Sequence, residues 1–411
     1  MSSTIAGRTG SGRAESAARA GAGAQVSVPL AERMRTFPAY PLADVPEIKR
    51  ELTAKGVDVI DLGAGDADLA APPAALAALR AAANDPAMGR YGFQLGYPPF
   101  REAVAAWMEK RFGVRLDAYR EILPLVGSKE GIAHLAFCYV NAGDVTVVPD
   151  PGYQPYVGGT LLAGGQPHLV PLREEHGFLI DVDALPRAIL DRARILYLNY
   201  PNNPTAAIAP ADYLEHVVRF CRENRILLAY DNAYSEIAFD GYRPPSIFEI
   251  AGAMDVAVEF HSFSKTYNMT GWRIAWAAGN AVTIAALSRV KSFVDTGQFM
   301  CVQAAAKAAL ESYDAWVPGN VEAFRQRRDA LVQALRGVGF DVPLPRASMY
   351  VWFRVPGGDS HAFARRVLLE QGVVVLPGAA LGPGGEGYLR AALTQAPARL
   401  EEAAKRLGAA L

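Results

Sequence analysis

Two hydroxyls, an amine and a guanidinium crowd into residues 262–273: Ser262, Ser264, Lys265 and Arg273. Hydroxyls and a guanidinium hold a phosphate dianion by charge-assisted hydrogen bonds, and an unprotonated lysine amine attacks a carbonyl to give a Schiff base. The group suits a small ligand carrying both a phosphate and a carbonyl. Taken alone, a Ser-Lys pair and a nearby Arg read as a solvated loop beside a strand. What reverses that reading is a series of polar residues at the ends of other apolar runs.

Those runs must position the chemistry. Residues 122–126 form a strand-like run that ends in Gly127-Ser128-Lys129, after which residues 132–140 read as an apolar helix. A glycine and serine at a helix start present free N–H groups and the positive end of the helix dipole, which is a phosphate cradle. It lacks the Lys-Ser/Thr ending and glycine spacing of a P-loop. The run from 195 leads into Asn203, and the run 226–230 leads into Asp231 and Tyr234. The buried strand from 145 is followed by Tyr153. In an open α/β sheet the carboxyl ends of strands are where ligands bind. Pyridoxal phosphate has the required phosphate and carbonyl. An ionised Asp231 against its pyridine nitrogen makes the ring an electron sink.

With these residues the chain resembles the fold-type I, class I/II aminotransferases, and within them the branch of the LL-diaminopimelate and aspartate aminotransferases. The resemblance rests on Ser-x-Ser-Lys at 262–265, Gly-x-Arg at 271–273, Asn203 in Asn-Pro-Thr, Asp231 with Tyr234, and Lys-Ser-x-x-Asp-x-Gly at 291–297. It departs from the family at Ala67, where proline is usual, and at Ala206, where glycine is usual. The resemblance implies a mostly parallel α/β sheet with helices on both faces and a smaller α+β domain. It implies pyridoxal 5'-phosphate bound by Tyr91, Gly127, Ser128, Lys129, Tyr153, Asn203, Asp231, Tyr234, Ser262, Ser264, Lys265 and Arg273. Catalysis falls to Lys265, Asp231 and Tyr234, with substrate held by Tyr40, Gly65, Lys129, Asn203 and Arg390. Tyr91 is expected to enter the neighbouring subunit's site in a homodimer. Tyr40 and Tyr91 also read as ordinary packed tyrosines. The Lys129 side chain reads equally as a solvated first-turn charge or as a cation for a distal carboxylate.

The expected reaction is a ping-pong transfer of an amino group between an L-amino acid and a 2-oxo acid, with glutamate and 2-oxoglutarate as one pair. A lyase on the same fold is the alternative, and a ligand-sensing regulatory protein a distant one. Lys129 favours an acidic partner, whereas Phe293 and the lack of a second arginine near it favour neutral substrates.

The bulk properties agree with a small-molecule enzyme. The 411 residues are 51% hydrophobic and carry a net charge of −1, so no basic field invites nucleic acid or an anionic membrane. Three scattered cysteines, Cys138, Cys221 and Cys301, match neither a disulfide framework nor a metal site, and suit a reducing cytoplasm. No metal is expected. Residues 1–30, rich in Gly, Ala, Ser and Arg, read as a disordered tail, too short for a DNA-binding module. Residues 31–76 read as an arm and part of the small domain, 77–310 as the large cofactor-binding domain, and 311–411 as the small domain.

Overall fold

The computed structural model describes residues 28–37, 45–93 and 96–411. The chain divides into two units, Met1–Phe37 and Pro38–Leu411. Of the first, the described residues hold one exposed 3-10 turn, Glu32–Arg35.

The second unit opens with α1 (Val45–Ala54), β1 (Ile60–Asp61), α2 (Pro73–Ala83) and α3 (Pro98–Phe112). There follow β2 (Ile122–Leu125), α4 (Ser128–Tyr139), β3 (Val145–Asp150), α5 (Gln154–Leu162), β4 (Gln166–Pro171), α6 (Arg187–Leu190) and β5 (Ala193–Leu198). Next come α7 (Ala211–Asn224), β6 (Leu227–Asp231), β7 (Ala257–Ser262), α8 (Phe263–Thr266), β8 (Ala275–Gly279), α9 (Ala281–Lys291) and α10 (Met300–Glu311). The chain closes with α11 (Tyr313–Gly337), β9 (Tyr350–Arg354), α12 (Ser360–Gln371), β10 (Val373–Val374), β11 (Leu376–Pro377), β12 (Tyr388–Ala392) and α13 (Pro397–Gly408).

Seven strands form the main sheet in the order β2-β8-β7-β6-β5-β3-β4. The neighbours from β7 through β4 pair in parallel, and β8 is antiparallel to both β7 and β2. Strands β3, β7 and β8 are buried along their whole length. Burial on both faces is why apolar residues run without alternation through β8 and most of β3, whereas β7 also buries Glu259 and His261. A three-stranded antiparallel sheet, β11-β12-β9, and a two-stranded pair, β1-β10, complete the strands. The small sheet packs on α11, α12 and α13 through Phe324, Leu331, Val351, Phe353, Val367 and Leu400. Each such buried side chain contributes roughly 1.5–3 kcal/mol relative to exposure.

Proline at the first turn starts α2, α3, α5 and α13, because its missing N–H is unpaired there in any case. That is also why α3 begins at Pro98, ahead of its first charged residue, Arg101. Strand β1 is two residues long, Ile60 and Asp61 pairing with β10, and Leu62 beyond it bonds to Val374 and Ala392. The helices α9 and α10 end and restart around residues 292–299. Between them Lys291 accepts the N–H groups of Val294, Asp295 and Thr296 on its carbonyl, and Thr296 and Gly297 take positive φ.

Candidate active site

The carboxyl ends of β5, β6 and β7 open into a cavity of about 680 Å³. Gly65, Ser128, Lys129, Tyr153, Asn203, Asp231, Tyr234, Ser262, Ser264, Lys265, Arg273 and Arg390 all line it. The residues singled out from the sequence therefore converge, although they span β12, the main sheet and the loop after β1.

The end of the cavity expected to take a phosphate is built from backbone as much as from side chains. Gly127 precedes α4 with φ +78°, and a Cβ there would fall on the Arg273 guanidinium. Only glycine lets that cation lie against the helix start. Arg273 itself adopts a left-handed conformation, φ +52°, and donates from Nη1 to the Thr270 carbonyl at 2.9 Å. Ser262 caps the short α8, its Oγ accepting from Ser264 N at 3.1 Å.

Asp231 ends β6 and is buried. Tyr156 donates to its Oδ2 at 2.8 Å, whereas Oδ1 is buried without a partner. Burial raises the carboxyl to a pKa of about 6, against the opposing pull of the Tyr156 bond, the Ala233 N–H and nearby His261. Asn199 ties the strand ends together. Its Nδ2 donates to the Asp231 carbonyl at 2.6 Å and its Oδ1 accepts from Asn203 N at 2.7 Å.

Burial lowers the Lys265 pKa, helped by the charges of Arg390 and Arg273 and resisted by Tyr350 and Asp66. Its amine donates to the Gly65 carbonyl. Arg390, on β12, donates from Nη1 to Asn203 Oδ1 and from Nη2 to the Gly63 carbonyl, both at 2.7 Å, while its buried Nε has no partner. Lys129 is exposed at the cavity rim with its amine 5.8 Å from the centre of the Tyr153 ring.

Tyr40 falls outside the described residues. Tyr91 is 75% exposed and not part of this cavity's lining. Phe293, expected to make the site more apolar, is 86% exposed and does not line it either.

Among the lining residues that sequence reasoning missed are Tyr350, Lys49, Asp61 and Asn199, and it also missed the supporting Tyr156. Tyr156 had a signal, standing one helical turn after Tyr153. Tyr350 had none, because it meets the site only through the pairing of β9 with β12.

Glu130, His134 and Asp295 bring metal-type ligand atoms close together. The buried amine of Lys291 occupies the cluster, 3.0 Å from Glu130 and 2.9 Å from Asp295. The cluster braces the first turn of α4, as Glu130 also accepts from Val126 N at 3.0 Å.

The donor set fits pyridoxal phosphate: a glycine cradle, two serines and an arginine for the phosphate, an amine for the aldehyde, and an orphaned buried carboxylate oxygen for the ring nitrogen. Fold and site define a pyridoxal-phosphate enzyme. The family model "Aminotransferase class I and II" matches residues 57–407. An LL-diaminopimelate aminotransferase from Desulforudis audaxviator is 50% identical over 378 residues, covering 92% of this chain and 96% of that protein. The apo-BacF structure from Bacillus subtilis superposes with a TM-score of 0.89 at 34% identity, covering 93% of this chain and 98% of the other. A probable N-succinyldiaminopimelate aminotransferase from Thermus thermophilus gives 0.85 at 39%, covering 89% and 99%. The chain belongs to the class I and II aminotransferases, and it is a pyridoxal-phosphate-dependent aminotransferase. Transamination is thereby selected over the lyase and sensor alternatives.

Proposed function

We propose that this aminotransferase takes LL-diaminopimelate as amino donor and 2-oxoglutarate as acceptor, in a ping-pong cycle. The observation that carries the reading is the 50% identity to an LL-diaminopimelate aminotransferase across nearly the whole of both chains. The cavity is consistent with it. Arg390 offers one carboxylate grip deep in the site and Lys129 a cation at its rim, whereas Lys49 on the wall is already paired with Asp61; the two cations suit a substrate charged at both ends.

Bound pyridoxal phosphate supplies an aldehyde carbon and a ring that accepts electrons from the breaking Cα–H bond. The side chains do the rest. Arg390 turns its planar fork to the α-carboxylate, fixing which Cα bond stands over the ring. Lys265 Nζ takes the Cα proton and later returns it. Burial, with Arg390 and Arg273 nearby, lowers its pKa, the direction a lysine acting as a base requires. Asp231 stabilises a proton on the ring nitrogen, held in place by the Tyr156 donor. Ser128, Ser262, Ser264 and Arg273 would hold the phosphate, Asn203 and Tyr234 would hold the ring oxygen, and Tyr153 would stack on the ring.

We also propose a cytoplasmic homodimer in which Tyr91 reaches the partner's site. Tyr91 and Phe93 lie 5.5 Å apart by ring centres on an exposed face. Phe93 borders the Thr296–Gln298 stretch, whose neighbours Phe293, Val294 and Phe299 are also exposed. Sedimentation should give a dimer.

The substrate is tested by a donor panel with 2-oxoglutarate. LL-diaminopimelate should give the highest kcat/KM, ahead of aspartate, alanine and meso-diaminopimelate. Turnover of aspartate with none of LL-diaminopimelate defeats the assignment.

A further inference from the structure

Tyr350 stands at the start of β9 with 3% of its surface exposed, yet it lines the cavity. Three site groups meet it. The Arg390 guanidinium carbon lies 4.2 Å from the centre of its ring. Its hydroxyl is 3.2 Å from that of Tyr234, with the two rings 5.6 Å apart and inclined at 69°. On a third side is Gly65, where any Cβ would collide with the Tyr350 hydroxyl. The carbonyl of that same glycine receives the Lys265 amine. Gly65 is thus glycine because Tyr350 fills the side-chain space.

The arrangement gives the ring and the hydroxyl different tasks. Two of the Arg390 nitrogens are held by Asn203 and Gly63. A plane held at its edge by hydrogen bonds still tilts, and an aromatic face beneath a buried guanidinium removes that freedom while attracting its charge. The charged and titratable groups facing the hydroxyl are Arg390, Lys265 and Tyr234, with Asp231 behind Tyr234 and Asp66 and Arg273 behind Lys265. A hydroxyl that accepts a hydrogen bond becomes a stronger donor to its own next partner.

We propose that Tyr350 is a positioning residue for transamination with two separable parts. Its ring seats the Arg390 fork for the α-carboxylate, and its hydroxyl donates to Tyr234, strengthening the bond Tyr234 makes to the cofactor's ring oxygen. The proposal rests on the reading of Arg390 as the carboxylate grip.

The test uses cofactor-loaded wild type, Tyr350→Phe, Tyr350→Leu and Arg390→Ala. The probe is pimelate, the amine-free analogue of diaminopimelate. Its dissociation constant is read from the change in cofactor absorbance, alongside the pH midpoint of the visible band and the melting temperature. Tyr350→Phe should bind pimelate within about twofold of wild type, yet move the pH midpoint upward because the ring oxygen loses support. Tyr350→Leu should bind pimelate roughly 30-fold more weakly, the equivalent of losing a desolvated cation–π contact. Arg390→Ala should lose saturable pimelate binding. If Arg390→Ala loses pimelate but Tyr350→Leu retains wild-type affinity, the seat is overturned and the Arg390 reading stands. If Arg390→Ala still binds pimelate normally, the grip itself is wrong. An unchanged pH midpoint in Tyr350→Phe overturns the hydroxyl's part. Tyr350→Met replaces the leucine variant if that does not fold, and the phenylalanine comparison stands without either.

Discussion

Replacing Asp231 by asparagine should make the cofactor-free protein more stable while weakening its hold on the cofactor. The carboxyl is buried, and burial raises its pKa from 3.8 to about 6. An acid whose folded pKa is raised binds its proton more tightly in the native state. Between those two values the native state keeps a proton that the unfolded chain has released, so stability falls as pH rises and the full cost applies above about pH 6. The difference corresponds to about 3 kcal/mol. Asparagine cannot ionise, and its amide oxygen can still accept the Tyr156 hydroxyl. Urea unfolding of the cofactor-free proteins should therefore find Asp231→Asn more stable by up to about 3 kcal/mol at pH 7.5, and by only about 1 kcal/mol at pH 4.5. With cofactor present the order should change, because the variant lacks the charge proposed to hold the ring nitrogen's proton. Its affinity should fall by roughly 10- to 100-fold, as for loss of a charge-assisted hydrogen bond. A variant no more stable than wild type at pH 7.5, or one whose gain does not depend on pH, refutes this account of Asp231.

Three further substitutions probe the frame of the site. Gly65→Ala should force its Cβ against the Tyr350 hydroxyl, costing about 1–3 kcal/mol as overpacking does; calorimetry and the pimelate dissociation constant should both register it. Lys291→Met leaves Glu130 and Asp295 facing each other without their cation. A loss of about 3–5 kcal/mol in chemical unfolding is expected, with weaker phosphate binding at the start of α4. Tyr156→Phe keeps the ring stacked on Tyr197, 4.8 Å between centres, but deletes the donor to Asp231. The Asp231 pKa should rise further, so the pH below which cofactor affinity declines should move upward in a titration.

Most of the site was legible because its residues lie at strand ends, where apolar runs stop and polar residues begin. Asn203, Asp231, Tyr234, Ser262 and Lys265 follow buried parallel strands, and that contrast is written in hydropathy. Arg390 was legible only through resemblance, since nothing local distinguishes an arginine in β12 from the exposed Arg354 in β9. Tyr350, Lys49 and Asp61 were not legible at all. They enter the cavity through strand pairing and helix placement at long sequence separation. The cluster of Lys291 with Glu130 and Asp295 was hidden for the same reason: it joins α4 to the end of α9 across the fold. Helix α4 departs from expectation by starting at Ser128, ahead of the apolar residues 132–140 that signal it.

The central claim is that the amine of Lys265 is the one that tethers the cofactor. Borohydride reduction of the cofactor-loaded protein, followed by digestion and mass mapping, tests it directly. The account predicts one pyridoxyl-bearing peptide, modified at Lys265, and none in Lys265→Ala treated in parallel. A modification mapping to Lys129 or any other lysine, with Lys265 unmodified, contradicts it.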